Sequence, residues 1–163
     1  MFDGLKVEIV GAEGVRHVFA ALDVDATARV ARVVNLAALE IQSEARRRAP
    51  ADHGYLAARI HIILDRSIGG VSAMVGCPLR YAPYVEFGAR PHPAPWKNLE
   101  PWARRHGLPT YLVWKSILQY GTPARPFLLP AYVQVRPSFN RRLAEALDQA
   151  AMVARARSRK GLK

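Results

Sequence analysis

A long amphipathic segment, residues 25–48, is the feature that most constrains how this chain can fold. Its apolar side chains recur at the spacing of one helix face, namely Val30, Val33, Val34, Ala37, Ile41 and Ala45. Asp25 suits the N-cap position, and Pro50 stops the helical pattern. The alanine content and the length favour a helix over a strand, and Glu44 and Arg48 have the spacing of an ion pair. The segment therefore predicts one long helix.

Three other segments alternate apolar and polar residues, which is the pattern of β-strands. They are residues 4–10 (GLKVEIV), 59–66 (RIHIILDR) and 71–77 (VSAMVGC). Residues 67–70 between the last two predict a hairpin turn. In 59–66, one face of the strand carries Ile60, Ile62 and Leu64. These strands and the long helix predict an α+β fold with a small antiparallel or mixed sheet.

Proline and glycine divide the second half of the chain into short elements. Residues 81–88 (YAPYVEFG) are rich in aromatics and predict an extended segment or one helical turn. Residues 96–106 and 110–120 predict two short helices that carry all three tryptophans, and Gly121 caps the second one. These helices indicate a helical hairpin inserted at about residues 92–120 into a single domain that spans residues 1–163.

The last part of the chain predicts a helix and a basic tail. Residues 127–135 (FLLPAYVQV) are apolar, and Pro130 interrupts them. A C-terminal helix is predicted from Ser138, as its N-cap, to about Arg155. Residues 155–163 (RARSRKGLK) predict a flexible basic tail.

Charge is distributed unevenly along a chain whose formal net charge is +11. Residues 1–28 carry a net −3, and residues 136–163 carry a net +6. Such a gradient suits head-to-tail contacts between copies, or a basic surface that faces a polyanion. The single cysteine, Cys77, predicts a buried apolar side chain and a fold that does not depend on disulfides. With neither a signal peptide nor a membrane span in its pattern, the chain is expected to be soluble and made in the cytoplasm.

Catalytic and metal-binding patterns are weak in this sequence. The five histidines do not have the spacing of a metal site, so no metal or cofactor is expected. A catalytic set could be drawn from Asp52, His53 and Glu86. Asp52 and His53 are better explained by a turn in which Gly54 takes a positive φ. Glu86 suits a buried carboxylate paired with an arginine or with backbone amides, and a general base is the alternative. The chain is therefore not expected to be an enzyme.

Two basic clusters are candidates for contact with DNA. They are Arg46, Arg47 and Arg48 at the end of the long helix, and Arg155, Arg157, Arg159 and Lys160 in the tail. Positive charge of this kind suffices for non-specific phosphate contact, for example with DNA in a channel. The alternative is a solvated helix end, where cations are also favourable. Since the sequence carries no recognition module, sequence-specific binding is not expected.

Three ordered segments resemble a known family. They are residues 40–60 (EIQSEARRRAPADHGYLAARI), 80–91 (RYAPYVEFGARP) and 121–131 (GTPARPFLLPA). Their order and spacing are similar to the gene-product-ten-like family named after phage HK ninety-seven, over about residues 25–150. The resemblance implies a sheet with a long helix packed across it. It also implies a neck, tail-completion or terminator protein, forming rings of typically six copies, at the head–tail junction of a phage, prophage or gene-transfer particle. The family brings no catalytic residues.

The resemblance also suggests where copies of the chain meet. Its partners would be copies of itself, adjacent connector or stopper proteins, and tail-tube or terminator proteins, in a virion assembled in the host cytoplasm. Rigid aromatic and proline-bounded surface is typical of interface cores. The interface candidates are Tyr81, Tyr84, Glu86, Phe87, Pro126, Phe127, Leu128 and Tyr132.

Two features depart from the family pattern. His53 stands where the family usually has threonine, in the turn after the long helix. Residues 92–120 are longer than the corresponding segment of short members, and we expect them to contact a neighbouring ring. Three functions remain in competition: a structural ring protein, a non-specific DNA-binding protein, and a hydrolase that uses Glu86 or His53.

Overall fold

The computed structural model describes residues 5–10, 24–50, 54–67 and 70–160. These residues form the predicted α+β fold, in which the structure has three strands and six helices. The turn residues Asp52 and His53 lie outside the described part. The elements in chain order are β1 (Leu5–Val10), α1 (Val24–Arg48), α2 (Tyr55–Ala58), β2 (His61–Ser67), β3 (Gly70–Cys77), α3 (Ala82–Phe87), α4 (Trp96–Arg105), α5 (Thr110–Tyr120) and α6 (Leu128–Lys160).

The three strands form one antiparallel sheet in the order β1-β3-β2. Alternate residues of the central strand are buried on one face, namely Val71, Ala73, Val75 and Cys77. Ile62 and Leu64 pair with Val75 and Ala73, so they lie on this same face of the sheet. The predicted strand face is confirmed, and it is the face that turns towards the core.

Helix α1 packs on that face of the sheet and confirms the predicted long helix. Its buried residues form one stripe, which includes Val30, Val34, Ala37, Ala38, Ile41 and Ala45. The alanines in the stripe let the helix axis come close to its neighbours, and the branched residues fill the core. The helix begins at Val24, so Asp25 belongs to its first turn and not to the N-cap.

Helices α1 and α6 pack side by side and run antiparallel. Arg48, the last residue of α1, donates a hydrogen bond of 2.6 Å to Gln134, in the second turn of α6. Further along the pair, Arg142 bonds Glu40 at 2.7 Å. The core thus lies between the sheet and the α1–α6 pair, in which α1 packs on β3 and α6 also contacts β1.

The bounds predicted for the C-terminal helix were wrong at both ends. Helix α6 begins at Leu128, ten residues before Ser138, and continues through Arg155 to Lys160. Pro130 does not interrupt it, because it is the third helical residue, whose backbone N–H would have no acceptor within the helix anyway. Pro137 lies inside the helix, where it removes the hydrogen bond to the carbonyl of Val133. The predicted flexibility of residues 155–163 stays a prediction.

Helices α4 and α5 form the hairpin expected near residues 92–120. Its two ends are held together where Ala89 and Thr122 exchange backbone hydrogen bonds of 3.0 and 2.9 Å. We call this pair of residues the neck. Gly88 and Gly121 flank it at φ 76° and 74°, and a Cβ on either glycine would run into the opposing backbone. The neck therefore requires glycine at both positions.

Replacing Gly121 by alanine should destabilise the protein more than the same change at Gly107. Both residues have positive φ, so both variants incur about 1 kcal/mol of backbone strain. Only at Gly121 does the added Cβ meet the backbone of Ala89 and Arg90, whereas no atom lies within 4 Å at Gly107. Urea unfolding should show an additional loss of about 1–3 kcal/mol for Gly121→Ala. Equal losses in the two variants would contradict this account of the neck.

Candidate functional site around Glu86 and an apolar cleft

The carboxylate of Glu86 caps the start of helix α6. Its Oε2 accepts hydrogen bonds from the backbone N–H groups of Phe127 and Leu128 at 2.8 and 2.9 Å. Its Oε1 accepts one from the N–H of Leu129 at 2.8 Å. A helix start leaves four backbone N–H groups without acceptors. Here these positions are residues 127–130, counted from the residue before the helix, and Pro130 has no N–H. Glu86 therefore satisfies every free donor of this helix end, and we call the arrangement the Glu86 clamp.

The clamp also explains how a carboxylate can be buried in this fold. Glu86 is only 2 % exposed. An isolated buried carboxylate would be strongly unfavourable, but three charge-assisted hydrogen bonds and the positive end of the α6 dipole compensate its charge. Of the two roles left open from the sequence, the geometry supports the buried carboxylate bound to backbone amides. A general base would need a free lone pair directed at a substrate.

Helix α3 has a buried face and an exposed face. Ala82 and Glu86, four residues apart, are both buried. Tyr84 and Phe87 lie on the outer side, 62 % and 65 % exposed, and Tyr81 at the N-cap is exposed as well. The N–H of Arg125 adds a hydrogen bond of 2.8 Å to the carbonyl of Val85. The segment is thus a short helix fixed from within, and its aromatic side chains point outward.

The predicted interface candidates fall into two groups in the fold. Phe127 and Leu128 are completely buried in the core, and Tyr132 packs against that core. Together with Glu86, these residues contribute to packing within the chain. Tyr81, Tyr84, Phe87 and Pro126 are exposed. For these exposed residues, contact with another molecule stays a prediction.

An apolar cleft of about 700 Å³ lies between α3 and the α4–α5 hairpin. Tyr81, Tyr84 and Val85 line it from the α3 side, and Arg125 also borders it. The hairpin lines it with Leu99, Trp102, Leu108, Leu112, Val113 and Ile117. The sequence could not show that Trp102 of the hairpin faces Tyr81 and Tyr84 across this cleft. The apolar character of α5 was the sequence signal for this cleft, because none of the residues of this helix is buried in the core.

The arginines at the end of α1 make contacts within the chain. Arg46 donates to the carbonyl of Ile60 at 2.8 Å, beside a bond of 2.9 Å from Gln42 to the same oxygen. Arg47 and Arg48 both bond Glu44, which confirms the ion pair expected between Glu44 and Arg48. These contacts tie the end of α1 to the start of β2. Because Arg48 also reaches Gln134, they tie it to α6 as well.

The structure does not bring the two basic clusters together. The Arg46–Arg48 cluster lies beside the start of α6, whereas Arg155 is exposed near its other end. At a rise of about 1.5 Å per residue, Gln134 and Arg155 are about 30 Å apart. The side chains of Arg157, Arg159 and Lys160 lie outside the described part. A single DNA-binding patch formed by both clusters is therefore not what this geometry supports.

Other reactive candidates offer little chemistry. Cys77 is fully buried, and burial raises the pKa of its thiol, so it is a poor nucleophile. Burial also raises the pKa of Tyr81, and Cys77 adds to that effect. Among the residues that the structure describes, no three histidine, cysteine or carboxylate side chains are grouped to hold a metal ion.

Comparison with known proteins identifies the segment that contains most of this architecture. Residues 18–88 match the family described as "Bacteriophage HK97-gp10, putative tail-component". Over these residues the chain is similar to the HK97-gp10-like family. The matched part includes α1, the β2–β3 hairpin and α3 with Glu86, and it ends at Gly88 beside the neck. A family described as a "putative tail-component" supports a structural role in a phage.

No curated protein and no solved structure matches this chain. Over the described ranges, no helix has both the length and the apolar character to cross a membrane.

Replacing Glu86 by glutamine should weaken the fold substantially. A glutamine keeps the shape but turns one acceptor oxygen into an NH2 donor that faces backbone donors of α6. We expect a loss of about 2–4 kcal/mol in the free energy of unfolding, measured by urea denaturation. Glu100→Gln is the matched control, because Glu100 is half-exposed and bonds only Arg104 on its own helix. Its loss should stay below about 0.5 kcal/mol. Similar losses in the two variants would rule out the clamp as a major contribution.

Stability should also depend on pH through Glu44. The hydrogen bond from Arg47 lowers the pKa of this carboxyl most; burial opposes it, and Arg48 lowers it further. A lowered folded-state pKa stabilises the fold above the unfolded-state pKa, and the benefit is lost as pH falls through the folded-state pKa. The stability difference between the wild type and Glu44→Gln should therefore shrink between about pH 5 and pH 3. Urea midpoints measured across this range test it, and a constant difference would contradict it.

Proposed function

We propose that this HK97-gp10-like protein is a structural component of a tailed-phage-type particle that forms a ring at the head–tail junction. The observation that carries the proposal is the family match over residues 18–88, which describes a tail component. Membership implies contact with other tail proteins and a location in the virion. The head–tail position and a ring of six copies are what the sequence resemblance implies, and the geometry supports them in two ways.

A ring needs one surface of each copy to fit a different surface of the next copy. Helix α3 offers one such surface, because Tyr84 and Phe87 project from a helix whose inner side is anchored by the Glu86 clamp. Rigid aromatic side chains lose little conformational freedom on binding, which makes them effective anchors. The clamp therefore holds a candidate interface in a defined orientation.

The sheet offers a second kind of surface. In the order β1-β3-β2, the outer edges of β1 and β2 pair with no other described strand. These two edges lie on opposite sides of the sheet, and exposed edges readily pair with another chain. Two different surfaces on opposite sides are what a head-to-tail contact between copies requires.

Non-specific DNA binding is the alternative that the sequence left open. The contacts of Arg46, Arg47 and Arg48 with Ile60 and Glu44 give each of these residues a role within the fold. No described feature favours DNA binding over the structural role, so the ring remains the proposed function.

The test is complementation of a particle from which the gene has been deleted. We expect heads and tails that fail to join, and rescue by the wild-type gene. Tyr84→Asp and Phe87→Asp should fail to rescue, because a charge on these aromatics would be buried without a partner in the ring. Both should keep the circular dichroism and melting temperature of the wild type, since the side chains are mostly exposed.

Met152→Asp is the control for this experiment. Met152 is also an exposed apolar side chain, but it lies near the end of α6, away from the candidate interface and from residues 92–120. It should rescue joining normally. Heads and tails that join without the protein would overturn the proposal, and so would full rescue by both α3 variants.

A further inference from the structure

The apolar cleft between α3 and the α4–α5 hairpin has the features of a binding site that is open to solvent. Leu112, on its hairpin wall, is 56 % exposed, and Tyr84 on the opposite wall is exposed as well. Side chains from three separate elements converge on one concave, mostly apolar surface. Concave apolar surfaces of this size are typical of sites that receive a few anchoring side chains from a partner.

Charge around the cleft has one sign. The segment that builds it, residues 80–126, carries seven arginines and lysines against two glutamates, a net +5. Both glutamates are already engaged, Glu86 by three backbone amides and Glu100 by Arg104. Arg125 lines the cleft itself, and its guanidinium bonds no carboxylate in the described structure. A ligand that carries negative charge would complement this surface.

A second copy of the chain is a poor match for this charge. Among the carboxylates whose side chains the structure describes, Glu40, Glu44 and Glu145 pair with arginines of their own chain. Apart from Glu86, which bonds backbone amides, only Asp65 and Asp148 lack an arginine partner in that set. The described surface of a second copy therefore offers few free carboxylates, and the net charge of +11 on each copy would oppose close contact here.

We propose that the cleft binds an acidic segment of a different structural protein. An apolar side chain of that segment sits between Tyr81 and Leu112, and a neighbouring carboxylate pairs with Arg125. The identity of the partner as a protein of an adjacent ring rests on the proposed function. The chemistry of the site, an apolar anchor flanked by carboxylates, does not.

Binding of two matched peptides to the full-length protein tests the proposal. The first is the capped peptide Ac-DLLEFLDE-amide, and the second has lysine at each of its acidic positions. Calorimetry in low salt should show the acidic peptide binding at least tenfold more tightly than the basic one. Its affinity should fall as salt is added, since the charge pairing is partly exposed.

Substitutions then locate the binding site. Arg125→Glu and Leu112→Asp should each weaken the acidic peptide at least tenfold. Lys115→Glu makes the same charge change as Arg125→Glu on exposed α5, but outside the cleft lining, and should change the affinity less than threefold. Equal affinity for the two peptides, or equal effects of Arg125→Glu and Lys115→Glu, would overturn the proposal.

Sedimentation of the same proteins tests whether a second copy of the chain occupies the cleft instead. Self-association that Leu112→Asp abolishes would mean that a second copy fills the cleft, and this also overturns the proposal. The outcome is independent of the complementation test. If the peptide binds at the cleft but heads and tails join without the protein, the ring is refuted and the binding site stands. If the peptide does not bind but joining requires the protein, only the binding site is refuted.

Discussion

The three hydrogen bonds of Glu86 connect parts of the chain that local structure alone would leave apart. The bond to Leu129 spans 43 residues of sequence. Through it, the inner side of α3 holds the start of α6, α6 packs along α1, and α1 covers the sheet. Because these elements pack against one another in turn, the contact that starts the longest helix also fixes the position of the outward-facing aromatics on α3.

Most of the carboxylates whose side chains the structure describes bind partners within the molecule. Glu86 binds the start of α6. Glu44 pairs with Arg47 and Arg48 in the last turn of α1, and Glu40 pairs with Arg142 of α6. Because arginines and lysines outnumber the acidic residues, the remaining surface is left basic. Over the described residues, a fold that satisfies most of its carboxylates internally presents positive charge to its neighbours.

Local pattern was sufficient for some elements and not for others. The stripe of α1 and the alternation in β2 and β3 are properties of short windows, and both were predicted correctly. The start of α6 was not, because a proline within an apolar run indicates an interruption when it is considered alone. Pro130 is compatible with a helix only at its first turn, and that placement depends on the distant Glu86. The sequence indicated that Glu86 could bind backbone amides, but it could not show which ones. The cleft likewise arises from pairing α3 with the hairpin, which no local window contains.

The neck between Ala89 and Thr122 makes the hairpin a separable module. Since the two residues are paired directly and the Glu86 clamp forms on the far side of them, the residues in between add nothing to the connection between α3 and α6. A shorter, longer or different excursion could therefore be exchanged at this point without moving the clamp. The family match ends at Gly88, beside this junction. Such an arrangement separates the surface that the hairpin presents from the core that supports it, so that one can vary in sequence without the other.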